Sequence, residues 1–308
     1  MKLKIMQYGK MLPGMSYEQV IGAWAEKLSA LPEEIETEIV RDDGNWTGDR
    51  LDELVADADA LLGLRIEQGI LTEGFWKRHP ALKYIGTLSH AYAEFDKEVS
   101  RRYGVTITNT VYGVPTIAEY TWAMIFQICG GMPFQGKTLG VIGQGAIGRQ
   151  VAAIGKVFGM RILTWDPLRK KEGLEQLLSE ADIISLNARV VSETRKIICR
   201  DSIRKMKEGV FLVNTARGTL IDEMDLYDAL MERKIRAAGL DVFSEEPPKV
   251  PGLLIQCPYC RTTGHIAWMT QEAVYRTIEL GINNFLSYLK GNPVCVINQE
   301  KEHELEPY

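Results

Sequence analysis

Short apolar runs alternate with helical patterns along the first third of the chain. A short apolar run bounded by turn residues indicates a buried strand, whereas apolar residues that recur every three to four positions indicate a helix with one buried face. The predicted strands are 3–7, 36–40, 60–64, 83–87 and 105–108, and the predicted helices are 17–30, 51–56, 72–78 and 96–102. This alternation is typical of an α/β domain with a parallel sheet.

The rest of the chain continues the alternation and returns to the first domain at its end. Residues 116–128 follow Pro115 and are apolar on most faces, which predicts a buried helix. Further strands are predicted at 139–142, 161–165, 182–186, 210–215 and 238–242, and a helix at 270–289 precedes a tail at 294–298.

The pattern therefore predicts an α/β fold with two Rossmann-like or flavodoxin-like domains, each built on a parallel sheet. One domain is expected to comprise residues 1–109 plus 285–308, and the other residues 110–284. Two chain crossings between domains make a hinge, so the cleft between the domains is the expected place for the active site.

A glycine-rich turn follows the first predicted strand of the second domain. Its three glycines suit a tight turn that lets backbone N–H groups reach a pyrophosphate, and a helix is predicted directly after it. Asp166, eighteen residues after Gly148, ends the next strand, where a carboxylate can accept hydrogen bonds from ribose hydroxyls. The predicted dinucleotide contacts are Gly143, Gln144, Gly145, Ala146, Ile147, Gly148 and Asp166.

Composition excludes several classes of partner. The 308 residues carry a net charge of −5 without a long basic run, which disfavours nucleic acid and anionic membranes as partners. No apolar run is long enough for a membrane span, and residues 1–14 lack the apolar core of a signal peptide. We therefore expect a cytoplasmic protein.

The five cysteines fit a reducing compartment better than a disulfide framework. Cys257-Pro-Tyr-Cys260 has the spacing of a thiol–disulfide site, but a reactive thiol needs a helix N-terminus, and this pair follows a proline-rich loop. No second cysteine or histidine pair lies at metal-ligand spacing, so no metal is expected.

Charged residues follow the strands of the second domain in three segments. Arg217 lies in Asn-Thr-Ala-Arg-Gly, Asp241 and Glu246 lie in Asp-Val-Phe-Ser-Glu-Glu, and His265 lies in Gly-His-Ile-Ala-Trp. Residues just beyond the carboxyl ends of parallel strands face the ligand crevice of such a sheet. A guanidinium can hold a planar carboxylate, and a histidine beside a carboxylate can exchange a proton with an alkoxide.

With these motifs the chain resembles the D-2-hydroxyacid dehydrogenases from about Thr87 onward. The resemblance implies that Arg217 binds the substrate carboxylate and polarises the C2 carbonyl, that His265 is the general acid/base, and that Glu246 pairs with its imidazole. It also implies NAD as the cofactor, with further contacts from Asn187, Thr215, Ala216 and Asp241. For Asp241 a loop-capping carboxylate is the alternative.

Three departures from the family pattern affect the expected specificity. In the substrate loop Ser89 and Ala91 occupy positions where relatives usually place glycines, and His90 between them either contacts the substrate or has a packing or surface role. The connection 130–136 is short where relatives carry a dimerisation arm, so a homodimer is possible but doubtful. Arg189 replaces a usual proline beside Asn187, and cations at 169–171 follow Asp166, so NADP is possible although Asp166 favours NAD.

The sequence therefore predicts NAD(H)-dependent reduction of a small 2-oxo acid to the D-2-hydroxy acid, and the reverse oxidation. His-Ile-Ala-Trp is similar to the glyoxylate and hydroxypyruvate reductase branch, and Trp268 could narrow the substrate pocket or simply fill a packing gap. One alternative is an NADH-sensing, corepressor-like interaction protein of the same fold. A thiol–disulfide role for Cys257 and Cys260 is another.

Overall fold

The computed structural model describes residues 1–8, 15–42, 48–64, 66, 69–89, 95–169, 173–246 and 252–299. The chain forms two compact units, Met1–Gly113 with Met269–Tyr308, and Val114–Trp268. The strands are β1 Lys2–Tyr8, β2 Glu36–Asp42, β3 Ala60–Leu62, β4 Tyr84–Gly86, β5 Thr106–Thr108, β6 Thr138–Ile142, β7 Arg161–Trp165, β8 Ile183–Leu186, β9 Val210–Asn214, β10 Ile235–Leu240 and β11 Cys260–Thr262. The helices are α1 Tyr17–Leu28, α2 Gly48–Val55, α3 Glu73–Arg78, α4 Lys97–Arg102, α5 Val114–Cys129, α6 Ala146–Val157, α7 Leu174–Glu180, α8 Arg200–Lys205, α9 Glu223–Met231, α10 Leu253–Gln256 and α11 Gln271–Leu289.

The first unit is a parallel sheet with helices on both faces. Its strand order is β2-β1-β3-β4-β5. Successive side chains of a strand point to opposite faces, so Leu61 and Ile85 pack with α2 and α3, while Leu62 and Tyr84 pack with α1 and α11. Helix α1 begins at a capping box between Ser16 and Gln19.

The chain returns to the first unit at Met269, earlier than the predicted residue 285, whereas its first exit lies close to the predicted residue 109. Helix α11 accounts for the earlier return, because Ile278 and Phe285 on its apolar side lie in the core with β1 and α1. The predicted return of residues 294–298 is confirmed by a bridge between Val296 and Thr108 beside β5.

Buried Asn298 fixes this last segment to the first unit. Its side-chain amide donates to Val105 O at 2.8 Å and to Ser100 Oγ at 3.0 Å, and its Oδ1 accepts the Ile107 N–H at 3.1 Å. A buried amide with several partners specifies one register of the tail against β5.

The second unit contains a wider parallel sheet with the order β11-β10-β9-β8-β6-β7. Strand β6 pairs with β7 on one side and β8 on the other, so the connections change direction at the carboxyl end of β6. Such a switch point is where ligands bind in doubly wound sheets. The predicted fold class is confirmed in both units.

The strands predicted in both units are present with small shifts of their ends. Helices α7 to α10 were not predicted; each has nine residues or fewer, so any apolar periodicity extends over less than three turns. Among the described residues no helix is both long enough and apolar enough to cross a membrane.

The structure places the two neighbouring cysteines where a reactive thiol is disfavoured. Cys257 is buried and caps the C-terminal end of α10, and burial raises the pKa of Cys260 to about 12, with Cys257 acting in the same direction. A thiolate is favoured at a helix N-terminus, whereas Cys257 lies at a helix C-terminus and Cys260 lies in a strand.

Candidate active site

Two glycines make the tight turn after β6 possible. Gly143 has a φ of +102°, and a Cβ on it would lie 2.5 Å from the Asn187 carbonyl carbon. A Cβ on Gly148 would lie 2.0 Å from Gly143 O. Because these neighbours are backbone atoms that cannot move aside, only glycine fits at either position.

Helix α6 begins at this turn with its first N–H groups available. Gly145 is the N-cap residue, and within the described chain no side chain caps the helix. The first amides of a helix have no carbonyl partner inside it, and the helix dipole places partial positive charge there. The predicted contacts Ala146 and Ile147 lie in this first turn, where a phosphate could accept hydrogen bonds.

Asp166 lies beside the turn, directly after β7. Its Oδ2 accepts the Gln144 N–H at 2.7 Å, and its Oδ1 accepts the Leu168 N–H at 2.9 Å. A carboxylate oxygen can accept more than one hydrogen bond, so these backbone bonds orient Asp166 and leave acceptor capacity for ribose hydroxyls. Arg169 donates to Gln144 O at 2.8 Å, whereas the lysines at 170 and 171 lie outside the described residues.

Asn187 follows β8 and carries a buried acceptor. Its amide nitrogen donates to Ser185 Oγ at 2.9 Å, but its Oδ1 is buried and has no partner in the part of the chain described. An unsatisfied buried acceptor costs about 1–3 kcal/mol. A ligand that donates a hydrogen bond at this edge would remove that cost, so the glycine turn, Asp166 and Asn187 together fit a dinucleotide.

The two other predicted cofactor contacts after β9 already have protein partners. The buried Thr215 hydroxyl is 2.7 Å from the Thr121 hydroxyl, and the Ala216 N–H donates to Asn214 Oδ1 at 3.0 Å. These bonds leave the Thr215 oxygen free to accept a further hydrogen bond, and they use the Ala216 amide for the turn itself.

Arg217 lies in a turn that Asn214 organises. The Asn214 side chain accepts the Ala216 N–H and donates to Arg217 O at 2.9 Å, which closes the turn on both sides. The Arg217 guanidinium reaches solvent and donates to Ala216 O at 2.6 Å. Loss of solvation lowers the pKa of Arg217, and the Glu246 carboxylate acts in the opposite direction. The group stays cationic at neutral pH and can bind a carboxylate.

Gly218 brings the Arg217 turn against the loop after β10. A Cβ on Gly218 would lie 1.8 Å from the Phe243 carbonyl carbon and 2.3 Å from the Ser244 nitrogen. Any side chain would force the two loops apart. Neither Asn214 nor Gly218 was among the predicted site residues. An asparagine directly after a strand is a signal for a turn, so the role of Asn214 could have been predicted. The contact of Gly218 with Phe243 leaves no signal in the nearby sequence.

Glu246 and His265 form a hydrogen-bonded pair. Glu246 Oε2 lies 2.6 Å from His265 Nδ1, and Glu246 Oε1 accepts the Phe243 N–H at 2.8 Å. Partial burial would raise the pKa of Glu246, but the hydrogen bonds from His265 and Phe243 outweigh burial and lower it. An ionised carboxylate only accepts, so Nδ1 carries the proton and Nε2 is left to exchange a proton with a ligand.

Asp241 holds the loop that carries His265. Asp241 is fully buried; its Oδ1 accepts the Ile266 N–H at 2.9 Å and the Thr263 hydroxyl at 2.6 Å, and its Oδ2 accepts the Ala267 N–H at 2.9 Å. The Asp241 carbonyl accepts the His265 N–H at 2.7 Å. This is the loop-capping arrangement that the sequence analysis gave as the alternative to a nicotinamide contact.

His265 itself has an unusual backbone conformation. Its φ is +58°, in the left-handed region that residues with a side chain rarely adopt. Such strain persists only where the surroundings enforce it, and it is typical of functional sites. Here the carboxylate and carbonyl of Asp241, together called the Asp241 clamp, accept four hydrogen bonds from this loop and enforce the conformation of His265.

The predicted substrate contacts are divided between the two units. Trp268 is half-buried three residues after His265 in the second unit. Ser89 belongs to the first unit, where its carbonyl accepts the Thr87 hydroxyl at 3.2 Å and the Thr110 N–H at 3.3 Å. His90 and Ala91 lie outside the described residues.

Comparisons with known proteins agree with this geometry. The family model for the D-isomer specific 2-hydroxyacid dehydrogenase, NAD binding domain, matches residues 116–267. A hydroxypyruvate reductase from Blautia hydrogenotrophica is 32% identical over 260 residues, which cover 73% of this chain and 81% of that protein. A glyoxylate reductase from Aeropyrum pernix is 33% identical over 287 residues, which cover 79% of this chain and 84% of that protein. The solved apo-structure of D-lactate dehydrogenase from Escherichia coli has a TM-score of 0.75 at 26% identity and covers 96% of this chain and 98% of that one.

Proposed function

This chain belongs to the D-isomer-specific 2-hydroxyacid dehydrogenase family and is an NAD-dependent oxidoreductase, and we propose that its substrate is a small 2-oxo acid of the glyoxylate or hydroxypyruvate type. The hydrogen bond between Glu246 and His265 carries this proposal, because it leaves Nε2 as the proton-exchanging atom. The names of the two sequence relatives support the choice of acid.

We propose that Arg217 binds the substrate carboxylate. A guanidinium can donate two parallel hydrogen bonds to a carboxylate, which fixes the plane of a 2-oxo acid. The Asn214 turn and the contact of Gly218 with Phe243 support this role, because they hold the Arg217 backbone in one place. The same cation would also polarise the C2 carbonyl.

His265 is the proposed general acid in the reduction and the general base in the oxidation. Reduction at C2 turns the carbonyl oxygen into an alkoxide, and protonated His265 would deliver the Nε2 proton to that oxygen. The ionised Glu246 accepts a hydrogen bond from Nδ1–H, which keeps the ring orientation fixed. In the oxidation, neutral Nε2 accepts the hydroxyl proton.

The cofactor supplies the hydride when it is bound. We propose that the first turn of α6 binds the pyrophosphate, that Asp166 binds the ribose, and that Asn187 Oδ1 accepts a hydrogen bond from the cofactor. The aspartate at the ribose position favours NAD over NADP, since a 2′-phosphate would be repelled by the carboxylate. Thr215, Ala216 and Asp241 remain proposed contacts of the nicotinamide end.

Trp268, Ser89, His90 and Ala91 are the proposed specificity residues. A tryptophan three residues after His265 would restrict the space beside the reacting carbon, which suits an acid with a small side chain. The relatives are named as reductases and dehydrogenases, and this supports the enzyme over an NADH-sensing interaction protein.

A second copy of the chain is a further proposed partner. In the second unit, Phe126, Val157 and Phe158 are exposed beside the short connection 130–136. Phe126 and Phe158 pack edge to face and lie in an aromatic cluster with Trp122 and Phe134. Exposed aromatic patches of this kind often mark an interface. Light scattering on the wild type and on Phe126→Glu would give a dimer and a monomer if this patch joins two copies.

The activity is tested by following NADH oxidation with a panel of 2-oxo acids: glyoxylate, hydroxypyruvate, pyruvate, and branched-chain and aromatic acids. We expect turnover with glyoxylate or hydroxypyruvate and a higher kcat/KM with NADH than with NADPH. Turnover of a large acid alone would contradict the proposed substrate class. NADH binding without turnover of any acid would favour the sensing function.

A further inference from the structure

Two successive backbone N–H groups in the loop after β10 donate to two different carboxylates. The Phe243 N–H donates to Glu246 Oε1 at 2.8 Å, and the Ser244 N–H donates to Glu223 Oε1 at 2.7 Å. Glu246 is part of the proposed chemistry, whereas Glu223 lies 21 residues before Ser244 in the chain, in helix α9.

Glu223 projects from a rigid support. It is the first residue of α9, whose Leu226 and Leu230 are fully buried in the core of the second unit. Asp222 caps the helix by accepting the Asp225 N–H and also pairs with Lys196 at 2.9 Å. An acidic side chain in the first turn also interacts favourably with the helix dipole.

The loop that Glu223 holds is not fixed by burial. Residues 244–246 are exposed, although Asp241 and Val242 just before them are buried. The position of the exposed part therefore depends on its hydrogen bonds and on the close contact of Phe243 with Gly218. Without the Glu223 bond, the Phe243–Ser244 peptide could rotate away from Gly218.

Such a rotation would act on His265 through Glu246. Glu246 Oε2 is 2.6 Å from His265 Nδ1, and a hydrogen bond weakens steeply when its length or angle leaves the normal range. A small displacement of the loop would thus separate the carboxylate from the imidazole, and the neutral ring could then take either tautomer.

We infer that Glu223 is a positioning residue for His265, acting through Ser244 and Glu246. The inference rests on the proposed function for its catalytic consequence, but the geometry of the loop is independent of the substrate. The Glu223 side chain must be long enough for its oxygen to accept the Ser244 N–H. Its charge is less important for this bond, because the donor is a neutral backbone N–H.

Three substitutions of Glu223 separate reach from charge. Glu223→Ala removes the acceptor, Glu223→Asp keeps the charge in the helix first turn but is one methylene shorter, and Glu223→Gln keeps the length and an acceptor oxygen. Glu272→Ala is the matched control, because it removes an exposed glutamate from the first turn of α11.

Nitrogen-15 NMR of labelled histidine at alkaline pH reports the tautomer of His265, with His265→Gln used to assign its signal. We expect the wild type, Glu223→Gln and Glu272→Ala to keep the proton on Nδ1, and Glu223→Ala and Glu223→Asp to gain the Nε2–H form. Loss of one hydrogen bond to a neutral donor should lower kcat about tenfold in these two variants. KM for NADH should stay unchanged.

A purely structural role would lower Tm in Glu223→Ala without changing the tautomer or kcat, and that result would overturn the inference. Loss of the Nδ1–H form in Glu223→Gln would also overturn it. Should Glu223→Ala fail to fold, Glu223→Asp decides the question by the same readout. A wild type without turnover would refute the proposed function, while the tautomer would still decide the role of Glu223.

Discussion

The nucleotide turn and the catalytic loops belong to the same unit but are built in different ways. The nucleotide turn, residues 143–148, is shaped by glycines and presents backbone N–H groups. The catalytic loops, defined as 214–218, 241–246 and 263–267, depend on side chains that bind backbone groups, either within one loop, as Asn214 does, or on another segment, as Glu223 and Asp241 do.

This difference determines how the sequence specifies each half of the site. The nucleotide turn needs glycine at fixed positions within six residues, so a short motif identifies it, and its distant contacts are the packing of Gly143 on Asn187 and the bond from Gln144 to Asp166. The catalytic loops are specified by contacts between segments far apart in the chain, such as Asp241 with Ala267. Changes in the first region should therefore alter NADH affinity, and changes in the second should alter kcat.

His265→Ala makes the largest expected change and tests the catalytic side of the comparison. Loss of a general acid should lower kcat by at least about 10²-fold. The NADH dissociation constant, measured by fluorescence titration, should be unchanged, because the nucleotide turn is untouched. Equal loss of NADH affinity would mean that His265 supports the cofactor site instead.

Gly148→Ala tests the nucleotide side. Its Cβ would lie 2.0 Å from Gly143 O, so the turn must open, and we expect an increase in the NADH dissociation constant of about tenfold or more with a lower Tm. Gly145→Ala is the matched control for stability, since a Cβ there meets no atom within 4 Å. A normal NADH affinity in Gly148→Ala would contradict the proposed pyrophosphate site.

Asp241→Asn distinguishes two roles of Asp241: the resemblance implies a cofactor contact, and its hydrogen bonds connect it to the His265 loop. An amide nitrogen would replace one accepting oxygen and leave a buried donor unsatisfied, which costs about 1–3 kcal/mol. We expect lower values for both the unfolding free energy and kcat. An increased NADH dissociation constant with normal stability would instead support the nicotinamide contact.

The smallest expected effect is the pH dependence of the Glu246 contribution to stability. The pKa of Glu246 is lowered from its ordinary value of 4.5 in the folded chain, so the folded state binds this proton less readily than the unfolded state. The stabilisation is therefore present above pH 4.5 and is lost as the pH falls through the lowered pKa.

Glu246→Gln measures this contribution. Because the pair is partly exposed, its removal should lower the free energy of unfolding at neutral pH by less than about 1 kcal/mol, and the difference from the wild type should disappear in acid. If the difference in unfolding free energy between the wild type and Glu246→Gln grew as the pH falls, the pKa of Glu246 would be raised in the folded chain, contrary to this prediction.

Much of the fold could be predicted from the sequence, for a physical reason. Buried parallel strands are continuous apolar runs, and central strands such as β3, β8 and β9 stand out by that signal. The short helix α7 and the domain return at Met269 could not be predicted in the same way. Periodicity shows that α11 is a helix, but only its packing partners show which unit it completes.

In the candidate site, too, the features with a local sequence signal could be predicted, and those that depend on contacts with other segments could not. The glycine turn and Asp166 were predicted as a group, because glycines at fixed spacing after one strand and an acidic residue at the end of the next strand form a recognisable motif. The roles of Gly218 and Glu223 could not be predicted from the sequence, because their partners Phe243 and Ser244 lie on another loop. For Asp241 the sequence left a cofactor contact and a loop-capping role open, and its bond to Ala267 adds the loop-capping contacts.

The discontinuous first unit also sets an order of events during synthesis. Its core includes Ile278, Ile282 and Phe285, and its edge strand is fixed by Asn298, all of which leave the ribosome after the whole of the second unit. Domains usually fold as units as they emerge. In this chain the segment made first waits with part of its apolar surface uncovered, while the segment made in the middle can fold before it.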